Sequence, residues 1–329
     1  MFVVGLDIGY GNMKVVTGAS DGPPAIDMQV YPVGAGPRAQ VNTNVRGEIN
    51  GGVSVRVDGE DYIAGIEPDE LANWKRALHA NYPSSTPYRA LLYAALKQTE
   101  RATVNRLVTG LPVSHFLDMK KREALKKSLT KVHDVDADRS VRVEETLVFP
   151  QPVGSYLDVS IAAGRQEEFE TAEILVIDPG FFSVDWVYLS NTKLKNEWSG
   201  SSELATSHLL EEVVGLVNRE YDFRISVDKL ERLIRKPNTT YLPIPKQKVL
   251  IADVLQTAAS KVGPAVMNEL QSSMRTRQND INFVVLSGGG AQYYESAVRA
   301  IFPKAEVLIP KNPVTANACG FWYLGASLD

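Results

Sequence analysis

Two stretches of the sequence decide the fold: FVVGLDIGYGNMK (residues 2–14) and EILVIDPGFFSVD (residues 173–185). Each begins as a run of apolar residues, which is typical of a buried strand, and continues into Asp-x-Gly. Each also places a charged residue seven positions after its aspartate. One such turn would carry little weight, because Asp-x-Gly is common in hairpins. Two copies, 171 residues apart in a chain of 329, predict two similar domains that each begin with a strand hairpin.

The overall composition is that of an ordinary globular protein and excludes several functional classes. The chain is 44% hydrophobic with a formal net charge of −4, which argues against intrinsic disorder and against nucleic-acid binding by bulk positive charge. No apolar run approaches the roughly 18 residues of a membrane span, and no secretory signal is visible. We therefore expect a cytoplasmic protein with no membrane partner. The single cysteine, Cys319, excludes an internal disulfide and a cysteine metal cluster.

Strand and helix patterns alternate along the chain and predict an α/β protein. The more local predictions are a helix start at 67–70, a helix from Thr86 capped by a hydroxyl, a basic amphipathic helix over 114–131, a strand over 194–198, a following helix capped at Ser201/Ser202, and a helix over 248–274 that is kinked or split at Gly263-Pro264.

The two Asp-x-Gly turns carry groups that suit the phosphates of a nucleotide. Glycine lets a ligand approach the backbone, so that turn N–H groups can point at phosphate oxygens. An aspartate at the end of a strand can hold hydrated Mg²⁺, which keeps several waters and takes few protein oxygens. Two such turns facing each other would clamp the phosphates. Lys14 would add positive charge at the β- and γ-phosphates, although a solvated strand lysine explains it equally well.

A third glycine-rich element follows a strand in the second half of the chain. VVLSGGG, residues 284–290, suits the close approach of a nucleoside, and a tight strand-to-helix turn is the alternative interpretation. Rival motifs fail. The sequence has no P-loop, lacks the third glycine of the dinucleotide fingerprint because position 14 is lysine, and spaces its four histidines unlike metal ligands.

Taken in order, these elements resemble the five sequence motifs of the actin/Hsp70/sugar-kinase superfamily. The corresponding segments are 5–15 and 176–186 for the two phosphate loops, 148–155 and 313–325 for the two connecting segments, and 284–291 for the adenosine loop. Within the superfamily the chain most resembles the bacterial ParM/StbA-type actin-like ATPases, through TGLP (109–112), FPQP (149–152) and NPVTANACGF (312–321). The second hairpin is similar to that of the ParM-like protein D of PRTRC gene systems.

The resemblance implies an actin-like (ribonuclease H-like) two-domain fold with a nucleotide cleft between similar halves. Domain I would span 1–164, completed by a helix within 311–329, and domain II would span 165–310. Asp7 and Asp178 would flank Mg²⁺ through water, and Asp178 would also serve catalysis. Gln151 lies where actins have a glutamine, and ParM proteins a glutamate, that positions the attacking water. A polar residue in a turn between two prolines is the alternative interpretation of Gln151.

The resemblance also assigns the remaining cofactor contacts. The phosphates would be held by Gly9, Gly11, Asn12 and Lys14 from the first hairpin and by Gly180 and Ser183 from the second, and the adenosine would be bordered by Gly288, Gly289 and Gly290.

The leading hypothesis is a Mg²⁺-dependent, actin-like ATPase that uses ATP or GTP, forms filaments of itself and segregates plasmid DNA. A DNA-binding adaptor protein would join the filament to DNA, in keeping with the net charge of −4. One alternative is a small-molecule kinase of the superfamily with Asp185 as its base. The other is a slow or inactive nucleotide-binding scaffold. Phe181 and Phe182 favour the scaffold because they replace small residues near the phosphate, unless they pack under the loop.

Six basic residues fall on the predicted helix over 114–131. A solvated helix face explains them, and a contact with the adaptor or with DNA is the alternative. These residues are Lys120, Lys121, Arg122, Lys126, Lys127 and Lys131.

Overall fold

The computed structural model describes residues 1–20, 27–72, 74, 81–236, 239–274, 277 and 280–328. The chain divides into two compact units. One unit contains Met1–Phe169 together with Pro310–Asp329, and the other contains Glu170–Ile309. The first unit is therefore assembled from two separate parts of the chain, whereas the second is continuous.

The strands and helices alternate as an α/β protein requires. The strands are Phe2–Ile8 (β1), Asn12–Ala19 (β2), Asp27–Pro32 (β3), Gly34–Pro37 (β4), Val53–Val57 (β5), Glu60–Ile66 (β6), Thr103–Leu111 (β7), Val132–Asp134 (β8), Ser140–Pro150 (β9), Glu173–Pro179 (β10), Val184–Ser190 (β11), Lys193–Leu194 (β12), Gly200–Ser202 (β13), Phe283–Leu286 (β14) and Glu306–Leu308 (β15). The helices are Thr86–Gln98 (α1), Val113–Leu117 (α2), Met119–Leu129 (α3), Gln151–Ala162 (α4), Gln166–Glu170 (α5), Thr206–Tyr221 (α6), Val227–Arg235 (α7), Ile251–Met274 (α8), Ala291–Ile301 (α9) and Ala316–Ser327 (α10).

The first unit is built on a six-stranded mixed sheet in the order β3-β2-β1-β7-β9-β8. Strands β1, β2 and β3 pair antiparallel, whereas β1, β7 and β9 run parallel. A smaller sheet in the order β4-β6-β5 belongs to the same unit. The second unit repeats the plan in the order β12-β11-β10-β14-β15, with an antiparallel hairpin beside parallel strands. The prediction of two similar domains, each begun by a hairpin, is confirmed.

Strand β1 lies at the centre of the first unit because both its faces are covered. Every residue from Val3 to Ile8 is buried. A strand that is buried on both faces typically has a nearly continuous apolar sequence, as this one does. Helix α10 approaches so closely that a Cβ on Gly5 would lie 2.2 Å from the carbonyl oxygen of Ala318. Full burial of a valine or leucine side chain contributes about 1.5 to 3 kcal/mol, so Val3, Val4 and Leu6 anchor this unit.

Helices α4 and α10 touch backbone to backbone. A Cβ added to Gly320 would lie 1.8 Å from the carbonyl oxygen of Gly154, which leaves no room for any other residue there. Beside this contact, the Ser155 hydroxyl donates to Asn317 Oδ1 at 2.6 Å, and both groups are buried. The two connecting segments that the sequence places 162 residues apart are thus fastened to each other.

Several local predictions for the first half are wrong in detail. The helix start at 67–70 is a single 3-10 turn, Pro68–Glu70, after which Leu71 is extended. Helix α1 begins at Thr86 and is capped by a hydroxyl, as predicted; the hydroxyl is that of Ser85, which accepts from the N–H of Tyr88. The basic helix over 114–131 is two helices, because Asp118 turns its carboxylate onto the N–H groups of Lys120 and Lys121 and caps α3.

Three predictions for the second half also need correction. The strand over 194–198 is the two-residue β12 followed by a 3-10 turn. Ser201 and Ser202 lie in strand β13, and the helix that they were expected to cap begins at Thr206. Helix α8 continues through Pro264, so the proline does not split it. Within the part of the chain that the structure describes, no helix combines the length and the apolar character needed to cross a bilayer.

Candidate functional site

The first candidate site is the turn between β1 and β2. The two strands pair so that Asp7 lies opposite Lys14, and the N–H of Gly9 closes the turn by donating to the carbonyl of Asn12 at 3.0 Å. Gly11 lies inside this turn. A Cβ on Gly9 would lie 3.3 Å from Lys14 Nζ, so the glycine leaves space for the lysine head.

Asp7 is the centre of a buried hydrogen-bonded triad. Its carboxylate accepts from Lys14 Nζ at 2.9 Å through Oδ2 and from Gln151 Nε2 at 2.8 Å through Oδ1. The residue is only 2% exposed. A carboxylate buried this deeply is stable only when charge-assisted hydrogen bonds replace its water, and the lysine and the amide supply them. Lys14 from the same hairpin and Gln151 from a separate motif, both selected in the sequence analysis, therefore meet at the Asp7 carboxylate.

Gln151 reaches Asp7 because of where β9 ends. Strand β9 runs parallel to β7 and ends at Pro150, so the first residue of α4 lies beside Gly110. A Cβ on Gly110 would lie 2.7 Å from Gln151 Cγ and 2.7 Å from the Phe321 ring, so any side chain there would displace the glutamine. Gly110 is thus a site residue that sequence reasoning missed, although the TGLP motif contained the signal.

Tyr88 on α1 is a second residue that the sequence did not reveal. Burial raises the pKa of its phenol, and the negative charge of Asp7 raises it further. Its hydroxyl therefore stays protonated beside the carboxylate. No pattern in the sequence connects a tyrosine on α1 with an aspartate 81 positions earlier, because only the packing of α1 against the sheet brings them together.

The second candidate site is the turn between β10 and β11. Here Asp178 lies opposite Asp185, and the N–H of Gly180 closes the turn by donating to the carbonyl of Ser183 at 2.8 Å. Asp185 is buried and accepts hydrogen bonds from the hydroxyls of Ser183 and Ser201. Ser183, which the resemblance assigns to the phosphates, thus holds this carboxylate in the structure.

The glycines at 288–290 are fastened to the second hairpin. Gly288 has a φ of +79°, and a Cβ there would lie 2.1 Å from Asp178 Oδ1. The N–H of Gly290 donates to the carbonyl of Pro179 at 2.9 Å. A Cβ on Gly289 would meet no heavy atom within 4 Å, so this glycine borders open space. The second unit therefore brings Asp178, the hairpin turn and all three glycines together.

Phe181 packs away from the turn. It lies against the apolar cluster that includes Leu209 and Val213 of α6, and its carbonyl accepts from the N–H of Ser207 at 2.8 Å. The neighbouring Phe182 is partly exposed. Phe181 therefore packs under the loop, which is one of the two interpretations of these aromatic residues.

Protein groups alone would not hold a metal ion at either turn. Among the described residues no group of three or more histidine, cysteine, aspartate or glutamate side chains is arranged to bind a metal. A Mg²⁺ ion at Asp7 or Asp178 would take most of its ligands from water and phosphate oxygens, which its preference for a retained hydration shell allows.

The chain is similar in sequence to known families over most of its length. Residues 5–154 match the N-terminal domain of actin-like proteins, and residues 176–300 match the C-terminal domain of the archaeal MreB-like actin homologues. No curated protein sequence matches the chain significantly.

Solved structures share the whole fold at low sequence identity. The archaeal actin homologue Ta0583 aligns with a TM-score of 0.76 and 18% identity over 98% of this chain and 99% of its own. A 15-stranded ParM filament from Clostridium botulinum aligns with a TM-score of 0.76 and 19% identity over 99% of each chain. Ta0583 in complex with ADP aligns with a TM-score of 0.73 and 19% identity over 98% of each chain.

The two family matches follow the two units of the structure, and the repeated sheet order agrees with the shared fold. Residues 5–154 and 176–300 thus each match an actin-like domain, and the fold of the chain is that of ParM and of the archaeal actin homologues.

Proposed function

We propose that this protein is an actin-like, filament-forming ATPase that binds ATP or GTP together with Mg²⁺ and hydrolyses it. The observation that carries the proposal is the triad of Asp7, Lys14 and Gln151 at the end of β1. The triad brings a buried anion, a cation and a neutral amide together from β1, β2 and the start of α4, and phosphoryl transfer depends mainly on positioning and charge.

The residues at both turns fit a bound nucleotide in part. The absence of a Cβ at Gly288 lets the Asp178 carboxylate pack against the backbone, and the backbone at Gly289 is open to a flat ligand. The N–H groups of Gly9 and Gly180 already close their turns, so phosphate oxygens would be met by other N–H groups of each turn. Gly9 and Gly180 then act by keeping the turns narrow.

Each member of the triad has a separate role in the proposed reaction. Gln151 donates its amide N–H to Asp7, which leaves its carbonyl Oε1 to accept a hydrogen bond from an attacking water and so to orient it. Lys14 places positive charge where the β- and γ-phosphates gain negative charge. Mg²⁺, when bound with the nucleotide, supplies further positive charge there. Asp178, anchored against Gly288, holds a water shell in place.

Nucleotide use and self-association are further supported by relatives. One structure with this fold contains ADP, and another is a filament. Plasmid segregation through a DNA-binding adaptor rests on the resemblance to ParM-type proteins and on the net charge of −4, which does not favour direct contact with a DNA duplex.

The kinase alternative loses support from the second turn. A general base must reach a substrate hydroxyl with a free oxygen, whereas Asp185 is buried and bound by two serine hydroxyls. The scaffold alternative loses one of its two aromatics, since Phe181 packs into the apolar cluster of α6.

The test is phosphate release from Mg-ATP and Mg-GTP by the wild type and by Gln151→Ala, with sedimentation of the same samples. We expect the variant to release phosphate about 100-fold more slowly because water positioning is lost, while nucleotide binding persists because Lys14 still holds Asp7. Gln247→Ala is the matched control, since Gln247 is exposed and lies in the other unit. Wild-type protein that never sediments, and releases phosphate only when a sugar is added, would establish the kinase alternative instead.

A further inference from the structure

The first unit also contains a cavity that none of the three triad residues lines. It has a volume of about 440 Å³ and lies between helices α1 and α3. Pockets that bind small molecules typically measure roughly 300 to 1,000 Å³, so this one is large enough for a ligand of several rings.

The floor of the cavity is apolar and belongs to the core of the unit. Leu92, Leu111, Leu125 and Leu129 line it, and each is at least 95% buried. They offer an aromatic or aliphatic body the same contacts that a core side chain receives, which is the general character of small-molecule sites.

The rim of the cavity uses half of the basic run that the sequence analysis singled out. Lys120 and Lys121 at the start of α3 line it, and so does Lys131 just after α3. Lys126 and Lys127 lie on the part of α3 that does not line it. The basic run is therefore divided, with one part turned towards the cavity.

The cavity carries positive charge. No aspartate or glutamate is among its lining residues in the described chain, and Arg89, the fourth basic group, is paired with Asp58. Burial lowers the pKa of His115 in the cavity wall, and the positive charge of Lys121 lowers it further. The negative charge of the nearby Asp118 acts in the opposite direction.

One buried polar atom in the wall lacks a partner. His133 is 1% exposed, and its Nε2 lies 2.8 Å from the carbonyl oxygen of Leu129. Because a carbonyl oxygen only accepts, Nε2 carries the hydrogen and Nδ1 is the acceptor. Nδ1 has no hydrogen-bond partner within the described residues, which is unusual for a buried group.

We propose that this cavity binds a small organic anion, with an aromatic or aliphatic body on the leucine floor and an acidic group held by Lys120, Lys121 and Lys131. The combination of an enclosed apolar floor with a one-sided cationic rim fits such an amphiphile, whereas a purely inorganic anion would leave the floor unfilled.

The probe for the test is 8-anilinonaphthalene-1-sulfonate, an aromatic sulfonate whose fluorescence rises in apolar sites. It is titrated into the full chain with Mg-ATP in excess, so that a nucleotide site does not contribute. We expect one saturable site per chain. Lys121→Glu should raise the dissociation constant about tenfold, because a nearby cation becomes an anion. Ala124→Phe should abolish binding, since it fills the cavity from an exposed position on its wall.

The matched control is Lys126→Glu, which makes the same charge change on an exposed part of the same helix. Its dissociation constant should equal that of the wild type. The proposal is overturned if Lys121→Glu and Lys126→Glu bind the probe equally, or if the wild type shows no saturable binding. If Ala124→Phe fails to fold, Lys131→Glu replaces it, because Lys131 is exposed and its substitution spares the core.

Discussion

The two hairpins share one backbone plan and differ in charge. In the first, Asp7 lies opposite Lys14, so the cross-strand pair is neutral and joined by an ion pair. In the second, Asp178 lies opposite Asp185, so two carboxylates occupy the corresponding positions. Directly opposed like charges destabilise a sheet, and the hydroxyls of Ser183 and Ser201 reduce that cost at Asp185.

The second hairpin therefore concentrates more negative charge than the first. Asp7 already has its positive partner within the chain, whereas the second hairpin places two carboxylates together. Among the two aspartates assigned to Mg²⁺, we therefore expect Asp178 to contribute more to metal binding.

The largest effect is expected when the first hairpin is given two opposed carboxylates, as in the second hairpin. Lys14→Asp would place a carboxylate opposite Asp7 in a buried setting, and we expect it to lower the free energy of unfolding by about 3 to 5 kcal/mol. Urea denaturation measures the change. Lys193→Asp is the control, since Lys193 is an exposed strand lysine, and its effect should stay below about 0.5 kcal/mol. A loss under 1 kcal/mol for Lys14→Asp would show that the ion pair does not hold this turn.

The glycines that follow β14, together with Gly9 of the first hairpin, provide the next test. Gly288→Ala combines a left-handed backbone with a Cβ 2.1 Å from Asp178 Oδ1, so we expect a loss of about 2 to 4 kcal/mol in unfolding free energy. Gly289→Ala, one residue away and facing open space, should change it by less than about 0.5 kcal/mol. Equal effects would mean that Asp178 swings away freely. In the first hairpin Gly9→Ala should be mild, because its Cβ would lie 3.3 Å from the flexible end of Lys14 and 3.4 Å, an ordinary contact distance, from the carbonyl oxygen of Asn12.

The same substitution in both hairpins should have different effects. Asp7→Asn removes the charge that balances Lys14, and we expect it to cost about 2 kcal/mol in unfolding free energy. Asp185→Asn removes one of two opposed negative charges and keeps an acceptor for a serine, so its cost should be below about 1 kcal/mol. Chemical denaturation of both variants at pH 7 gives the comparison, and a larger loss for Asp185→Asn would contradict it.

A third carboxylate, the half-buried Asp158 on α4, shows what happens without an ionic partner among the described residues. Burial raises the pKa of Asp158 to about 6 from 3.8. The folded state then binds more protons than the unfolded state between these values, so this residue's contribution to stability falls as pH rises from about 4 to 6. Asp158→Asn should therefore gain about 1 kcal/mol near pH 7.5 and nothing near pH 4. Denaturation curves at both pH values check it, and a gain that is equal at the two would exclude titration as the cause.

The sequence predicted the parts of the molecule that depend on neighbouring residues. Both hairpins, the parallel strands after them and the glycine tip follow from apolar runs and turn chemistry, and the actin-like family and fold inferred from them are confirmed. Contacts between distant segments were not predictable in this way. The hydrogen bond between Gln151 and Asp7 joins residues 144 positions apart, and nothing local at Ser201 signals that it supports Asp185.

Local competition between signals explains the boundaries that were wrong. The apolar and basic pattern over 114–131 is typical of one continuous helix. Asp118 interrupts it because its carboxylate accepts hydrogen bonds from the first N–H groups of α3 and so caps that helix. Ser201 and Ser202 are residue types that often cap helices, but here they pair with β11 and form a strand. A preference read from one segment is overridden when a neighbouring element offers better hydrogen bonds.

The contact between Gly154 and Gly320 has a consequence for how the protein is made. Helix α10 supplies half of that contact and also covers β1, so the first unit is incomplete until residues 316–327 have left the ribosome. The second unit is continuous and can fold as soon as Ile309 has emerged. The first unit is therefore begun before the second but completed after it. Until α10 has been synthesised, strand β1 lacks the helix that covers it.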